Sequence, residues 1–100
     1  MDYNIEFTKG ILFIRLFGVL DNNSIKGVKE DIIDVIKEGG IRNLVINIED
    51  LDIKEETDFF STCDNIINDN KGKMLICGSY LEKYKYVDDE LTALKEFSKC

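Results

Sequence analysis

The chain contains no histidine, no proline and no tryptophan. Without histidine, no side chain has an ordinary pKa suited to general-base work near neutral pH. Cysteine is sparse: Cys63, Cys77 and Cys100 are spaced without a CxxC or Cys/His pattern. Zinc takes about four ligands of nitrogen and sulfur type, and that set is missing. Unpaired thiols far from a histidine are also poor nucleophiles. Neither G-x-S-x-G nor a P-loop occurs. Adjacent acids such as Glu49/Asp50 and Glu55/Glu56 lack the spacing of a calcium loop. The expectation is therefore a chain that is not an enzyme and holds no metal or cofactor.

Positive charge is also scarce. Thirteen Lys and Arg stand against twenty Asp and Glu, a formal net charge of −7. A phosphate backbone or an anionic membrane would repel such a chain, so nucleic acid and membrane are not expected partners. A protein with a basic face is. No apolar run approaches a membrane span, and MDYNIEFTKG has no basic region followed by an apolar stretch, so no signal peptide is expected. An odd cysteine count without a framework fits a reducing, cytoplasmic setting. Cys63 and Cys77 lie among apolar neighbours and read as core thiols. Cys100 is terminal and expected to be exposed.

What is present reads as one α/β domain over residues 1–100, without linker or repeat. Tyr3 to Thr8 alternates as an edge strand, with Tyr3, Ile5 and Phe7 on one side. Lys9-Gly10 signals a turn, and ILFIRLFGVL (Ile11 to Leu20) completes a hairpin. DNNS (Asp21 to Ser24) supplies capping residues before Ile25, Val28, Ile32, Val35 and Ile36 recur at helical spacing. Gly39-Gly40 stops that helix. Ile41 to Ile48 suits a central strand buried on both faces. Phe59, Phe60, Cys63, Ile66 and Ile67 form a second helical stripe, and Lys73 to Gly78 another inner strand. Tyr84 to Val87 is a short strand candidate. In Asp88 to Phe97, acids precede bases and Leu91, Leu94 and Phe97 keep helical spacing. The order is β-β-α-β-α-β-(β)-α, which predicts a mixed sheet flanked by helices.

Three runs in this order resemble the STAS domain, named for sulfate transporters and anti-sigma-factor antagonists, and most of all its small stand-alone bacterial antagonists. ILFIRLFGVLDNNSIKGVKEDI resembles the family's strand, G-x-L-D and helix, with Gly18-Val19-Leu20-Asp21 as that tetrapeptide. IRNLVINIEDLDI resembles its central strand with an N-x-x-x-L ending, at Asn47 and Leu51. KGKMLICG resembles the strand after the second helix, with Lys71-Gly72 in place of a Gly pair. The resemblance covers most of residues 4 to 78. The chain departs from the family twice. A D-S-S-G type sequence, whose second hydroxyl is phosphorylated in the family, becomes Glu55-Glu56-Thr57-Asp58. The stretch between Cys77 and Tyr84 is too short for the helix usually found there, leaving roughly GSYLEK.

The resemblance implies a protein-binding regulatory module: an anti-sigma-factor antagonist whose partner is an anti-sigma factor of serine-kinase type. Thr57 takes the phosphoacceptor position. The implied partner face comprises Asp21, Asn22, Asn23 and Ser24 with Glu55, Glu56, Asp58 and Phe60. Three readings of Thr57 stay open. A helix start attracts acids because of its dipole, and Thr57 or Asp58 then serves as a cap. Alternatively the site is permanently acidic and phosphate control is altered or lost, because a phosphate there would meet three carboxylates. Or a matched kinase with basic specificity residues still modifies Thr57. A non-phosphorylated scaffold module and a small-ligand (nucleotide or lipid) domain are the alternatives in function. Phe59 and Phe60 read as core, with one of them exposed if this helix docks a partner. Tyr80, Tyr84 and Tyr86 with Lys83 and Lys85 form an aromatic-basic cluster that reads as edge-strand packing, with a contact patch as the alternative.

Overall fold

A computed structural model describes residues 1–99. The expectation for Cys100 lies outside the described residues. Eight elements occur in the expected order: β1 (Asp2–Thr8), β2 (Ile11–Leu20), α1 (Lys26–Glu38), β3 (Asn43–Ile53), α2 (Phe59–Asp69), β4 (Lys73–Cys77), β5 (Tyr86–Val87) and α3 (Glu90–Phe97). They build one five-stranded sheet in the order β1-β2-β3-β4-β5. β1 is antiparallel to β2, and every later pairing is parallel. Lys9 and Gly10, both with positive φ (53° and 78°), make the hairpin turn, the backbone twist that a two-residue hairpin loop requires.

The strand order explains the layers. From β2 to β4 each parallel strand is added on the same side of the last. Right-handed crossovers then put both connecting helices on one face. Accordingly α1 contributes Val28, Ile32 and Ile36, and α2 contributes Phe59, Cys63 and Ile67, to one core with Leu12, Ile14, Leu44 and Ile46. The other face holds a smaller core, where Ala93 on α3 meets Phe13, Val45, Leu75 and Cys77. β3 alternates between the two cores, which is why its apolar run is nearly continuous. Each fully buried Ile, Leu or Phe contributes about 1.5–3 kcal/mol relative to exposure. Cys63 and Cys77 are both buried, and burial pushes each thiol up to about 12.

Four details differ from expectation. β3 runs to Ile53 rather than ending at Ile48. Past a register shift, Phe17 to Leu20 of β2 pair with Asp50 to Ile53, so backbone pairing carries the strand through an acidic, exposed sequence. Leu91 is 60% exposed, and α3 packs through Ala93, Leu94 and Phe97 instead. Val35 lies at the edge of the α1 stripe and is exposed. Tyr84 precedes β5 and packs toward α2 rather than pairing in the sheet.

Candidate functional site

Parallel strands deliver their following loops to one end of the sheet. The loop after β2 and the loop after β3 therefore lie side by side. The first is self-organised. The Asp21 carboxylate accepts the N–H groups of Ser24 (2.7 Å) and Asn23 (3.0 Å). The Ser24 hydroxyl donates to the Val19 carbonyl (2.8 Å) and accepts the Asp21 N–H (3.0 Å). The Ser24 backbone bond, foremost, holds the Asp21 carboxyl below its ordinary value. Asp21 to Ser24 thus form a turn ahead of α1. The helix itself begins after Ile25, which offers no side-chain cap.

The second loop is bonded to the first. The N–H groups of Lys54 and Glu55 both reach the Leu20 carbonyl (2.9 and 3.3 Å). The Glu55 carboxylate accepts both the backbone N–H and the side-chain amide of Asn22, each at 3.1 Å. Asp58 reaches across to α1, where Lys29 Nζ lies 2.6 Å from its carboxylate, and that contact lowers the Asp58 pKa. Asp58 occupies the N-cap position of α2 but makes no side-chain capping bond. Thr57 Oγ1 accepts the Phe59 N–H at a long 3.4 Å. The helix-cap reading is therefore weak for both residues: Glu55 ties this loop to the first one, and Asp58 ties it to α1.

The three carboxylates counted in sequence are not equivalent. Glu55 is engaged by Asn22 and Asp58 by Lys29. Glu56 points to solvent, its side chain 90% exposed, with Lys83 Nζ 3.6 Å away. Thr57 is half-buried between them.

Phe60, like Phe59, lies in the core that its place in the helical stripe implies, and is not displayed on the partner face. It is 6% exposed and packs edge-on to Phe59 (5.3 Å between ring centres) and against Tyr84 (6.1 Å). Its i, i+1 placement beside Phe59 puts it on the inner stripe of α2, where burial is more favourable than display. What remains reachable is the wall of a cleft of about 300 Å³. The cleft floor is Leu20, Ile53, Phe60, Leu81 and Tyr84, and Glu55, Glu56, Thr57, Ser61, Glu82 and Lys83 form its rim. Burial raises the Tyr84 phenol pKa. Sequence reasoning missed this cleft. The short segment after β4 contains no helix and folds over α2, with the Tyr84 N–H on the Leu81 carbonyl (3.2 Å). Leu81 and Tyr84, apolar residues three apart in an otherwise polar loop, were the signal that could have found it. The expected tyrosine–lysine cluster divides. Tyr80 packs edge-to-face against Tyr86, Lys83 faces Glu56, and Lys85 faces Glu96.

A family profile for the STAS domain matches residues 2–57. The chain belongs to the STAS-domain family. Three solved structures share the fold. The anti-sigma factor antagonist SpoIIAA in its unphosphorylated form aligns over 99% of this chain and 100% of its own, at 17% identity and TM-score 0.80. RsbS from Moorella thermoacetica, in a serine-to-glutamate form, aligns over 98% and 96%, at 15% identity and TM-score 0.79. The phosphorylated form of Bacillus SpoIIAA aligns over 98% and 84%, at 18% identity and TM-score 0.66. The β-β-α-β-α-β-β-α order of this STAS domain is the order that the sequence pattern predicts, without the helix the family usually has after the fourth strand.

Asn47, one of the two STAS-like positions on β3, serves the opposite face. Its amide donates to Glu90 (2.7 Å) and its carbonyl oxygen accepts the Glu49 N–H (2.9 Å). Arg15 meets the same Glu90 carboxylate through two nitrogens, at 2.8 and 2.7 Å. This cluster anchors α3 and is separate from the Thr57 surface. Among the described residues, no group of three or more acids or cysteines is placed to hold a metal ion. Nor is any helix among them long and apolar enough to cross a membrane.

Proposed function

We propose that this STAS domain is a protein-binding regulatory module of the anti-sigma-factor antagonist type, with an atypical or lost phosphorylation switch at Thr57. One observation carries the proposal. The Asp21–Ser24 loop and the Glu55–Asp58 segment are bonded into a single surface around Thr57, on a fold shared with the anti-sigma factor antagonist SpoIIAA. The partner is an anti-sigma factor of serine-kinase type. By occupying it, the domain frees sigma and changes transcription without touching DNA. Asn22, Asn23, Glu55, Glu56 and Asp58 supply the polar contacts, Asp21 and Ser24 hold the first loop in shape, and Phe60 backs the cleft.

The geometry refines the electrostatics of the switch. A phosphate adds about −1.5 to −2 charges. Asp58 is offset by Lys29, and the exposed Glu56 faces Lys83 at 3.6 Å, whereas Glu55, bonded to the neutral Asn22, keeps its charge. The repulsion a phosphate meets therefore comes from Glu55 and the loosely paired Glu56. A helix start also offers N–H groups and positive dipole character to an anion. Fixed acidity and phosphate control therefore differ by two carboxylates, Glu55 and Glu56, rather than three. A pull-down from the native cell, with mass spectrometry of partners and of Thr57 in one sample, tests the proposal. Recovery of a kinase-type anti-sigma factor is the expected result. A different partner with Thr57 unmodified would replace the antagonist reading with the scaffold one.

A further inference from the structure

We infer that the cleft beside Thr57 is an anchor pocket, which receives one apolar side chain carried on a basic segment of the partner protein. The inference rests on the proposal that the Thr57 surface docks a protein, and it adds what that protein must present.

Size, lining and charge converge on this occupant. At about 300 Å³ the cleft lies at the lower limit for small-molecule sites and suits a single large side chain. Its floor is apolar: Leu20 and Ile53 come from the paired ends of β2 and β3, Phe60 from α2, and Leu81 and Tyr84 from the folded-over loop. Filling it would desolvate that floor, the arrangement that concentrates binding energy in a few anchors. The rim carries Glu55, Glu56 and Glu82 against the single cation Lys83. That charge disfavours a phosphate-bearing ligand and favours arginine or lysine on either side of the anchor. Thr57 lies on the same rim, so a phosphate there would stand at the mouth of the pocket.

The test uses three capped pentapeptides titrated into isotopically labelled protein and followed by amide chemical shifts. One has leucine flanked by two arginines on each side, one replaces leucine with alanine, and one replaces the arginines with glutamates. The arginine–leucine peptide should bind at least tenfold more tightly than either control, with shifts centred on Leu20, Ile53, Phe60, Leu81 and Tyr84. The double variant E56K/E82K, altered only at exposed rim positions, should keep its melting temperature and lose at least fivefold of that affinity. Equal binding of the leucine and alanine peptides would overturn the inference, as would shifts centred elsewhere. If the peptides fail while an anti-sigma factor is captured, the docking face stands and the pocket falls. If they bind while no anti-sigma factor is captured, the pocket stands and the antagonist reading falls.

Discussion

At the residue scale, Lys71 and Gly72 show how local backbone demands override identity. Lys71 has φ of 62°, a left-handed conformation that costs a non-glycine residue about 1–2 kcal/mol. It lies just past the end of α2, where glycine is the common solution. Gly72 has a different reason to be glycine: an added Cβ would collide with the Arg42 carbonyl, which also accepts the Lys73 N–H at 2.7 Å. The two positions therefore respond in opposite directions. Lys71→Gly should stabilise the protein by up to about 1 kcal/mol, the strain relieved less the extra entropy lost by glycine. Gly72→Ala should destabilise it by about 1–3 kcal/mol, as overpacking against fixed backbone does. For about 100 residues each kcal/mol moves the melting temperature by roughly 4–8 °C, so paired thermal melts decide it. A Lys71→Gly variant that melts lower than the parent would show that the left-handed turn is not strained.

At the scale of elements, α3 illustrates what could and could not be read from the chain. Its acid-first, base-last order was visible, and Asp89 does cap it, accepting the Thr92 N–H at 2.8 Å. Its burial was not visible, because a helix on a narrow face needs only Ala93 buried and leaves Leu91 to solvent. The same holds for its anchor. Arg15 interrupts ILFIRLFGVL and Asn47 interrupts LVINI, and those breaks mark where the sheet face turns polar to meet Glu90. By contrast β2, β4 and α2 were legible nearly to their ends, since their periodicity is set by burial alone. The loop pairing at the candidate site was out of reach, because Asn22 and Glu55 are thirty-three residues apart. The α3 anchor has a pH signature. Arg15 hydrogen bonds, ahead of the Asn47 bond, hold the Glu90 carboxyl below its usual value. A carboxyl lowered on folding contributes stability that is present above the unfolded pKa, about 4.3, and lost as pH falls through the folded one. Glu90→Gln should therefore destabilise the protein near pH 7, by about 1–3 kcal/mol for lost charge-assisted bonds, and progressively less as pH falls below about 4. Urea titrations of parent and variant at pH 7 and pH 3 measure this. An undiminished gap at pH 3 would assign the loss to packing rather than charge.

At the scale of the whole molecule, topology separates charge. β2, β3 and β4 point the same way, so the segments leading into them gather at one end, where Arg42, Lys71 and Lys73 line one hollow. Their far ends and the loops beyond carry Asp50, Asp52, Glu55, Glu56 and Asp58 near the Thr57 surface. Compensation is unequal. At the basic end Glu96 lies within 4 Å of Lys73, Lys85 and Lys99. At the acidic end each cation meets a single acid: Lys29 meets Asp58, Lys54 meets Asp52 and Lys83 meets the exposed Glu56, at 3.6 Å. The molecule extends 38 Å along its longest axis, several times the screening length of about 8 Å at physiological salt. A partner approaching the acidic end thus responds to that end and not to the net charge of −7. For a basic partner, the association rate should fall by about tenfold or more as salt rises from low to well above physiological concentrations. Glu56→Gln should lower that rate and flatten its salt dependence, with the dissociation rate little changed, as for a rim charge. Asp69→Asn removes one negative charge as Glu56→Gln does, but at the exposed last residue of α2, beside the basic end. It should leave the rate within about twofold at physiological salt. Stopped-flow association with the captured partner separates the two cases. Equal slowing by both variants would mean that net charge, not the acidic end of the sheet, governs the encounter.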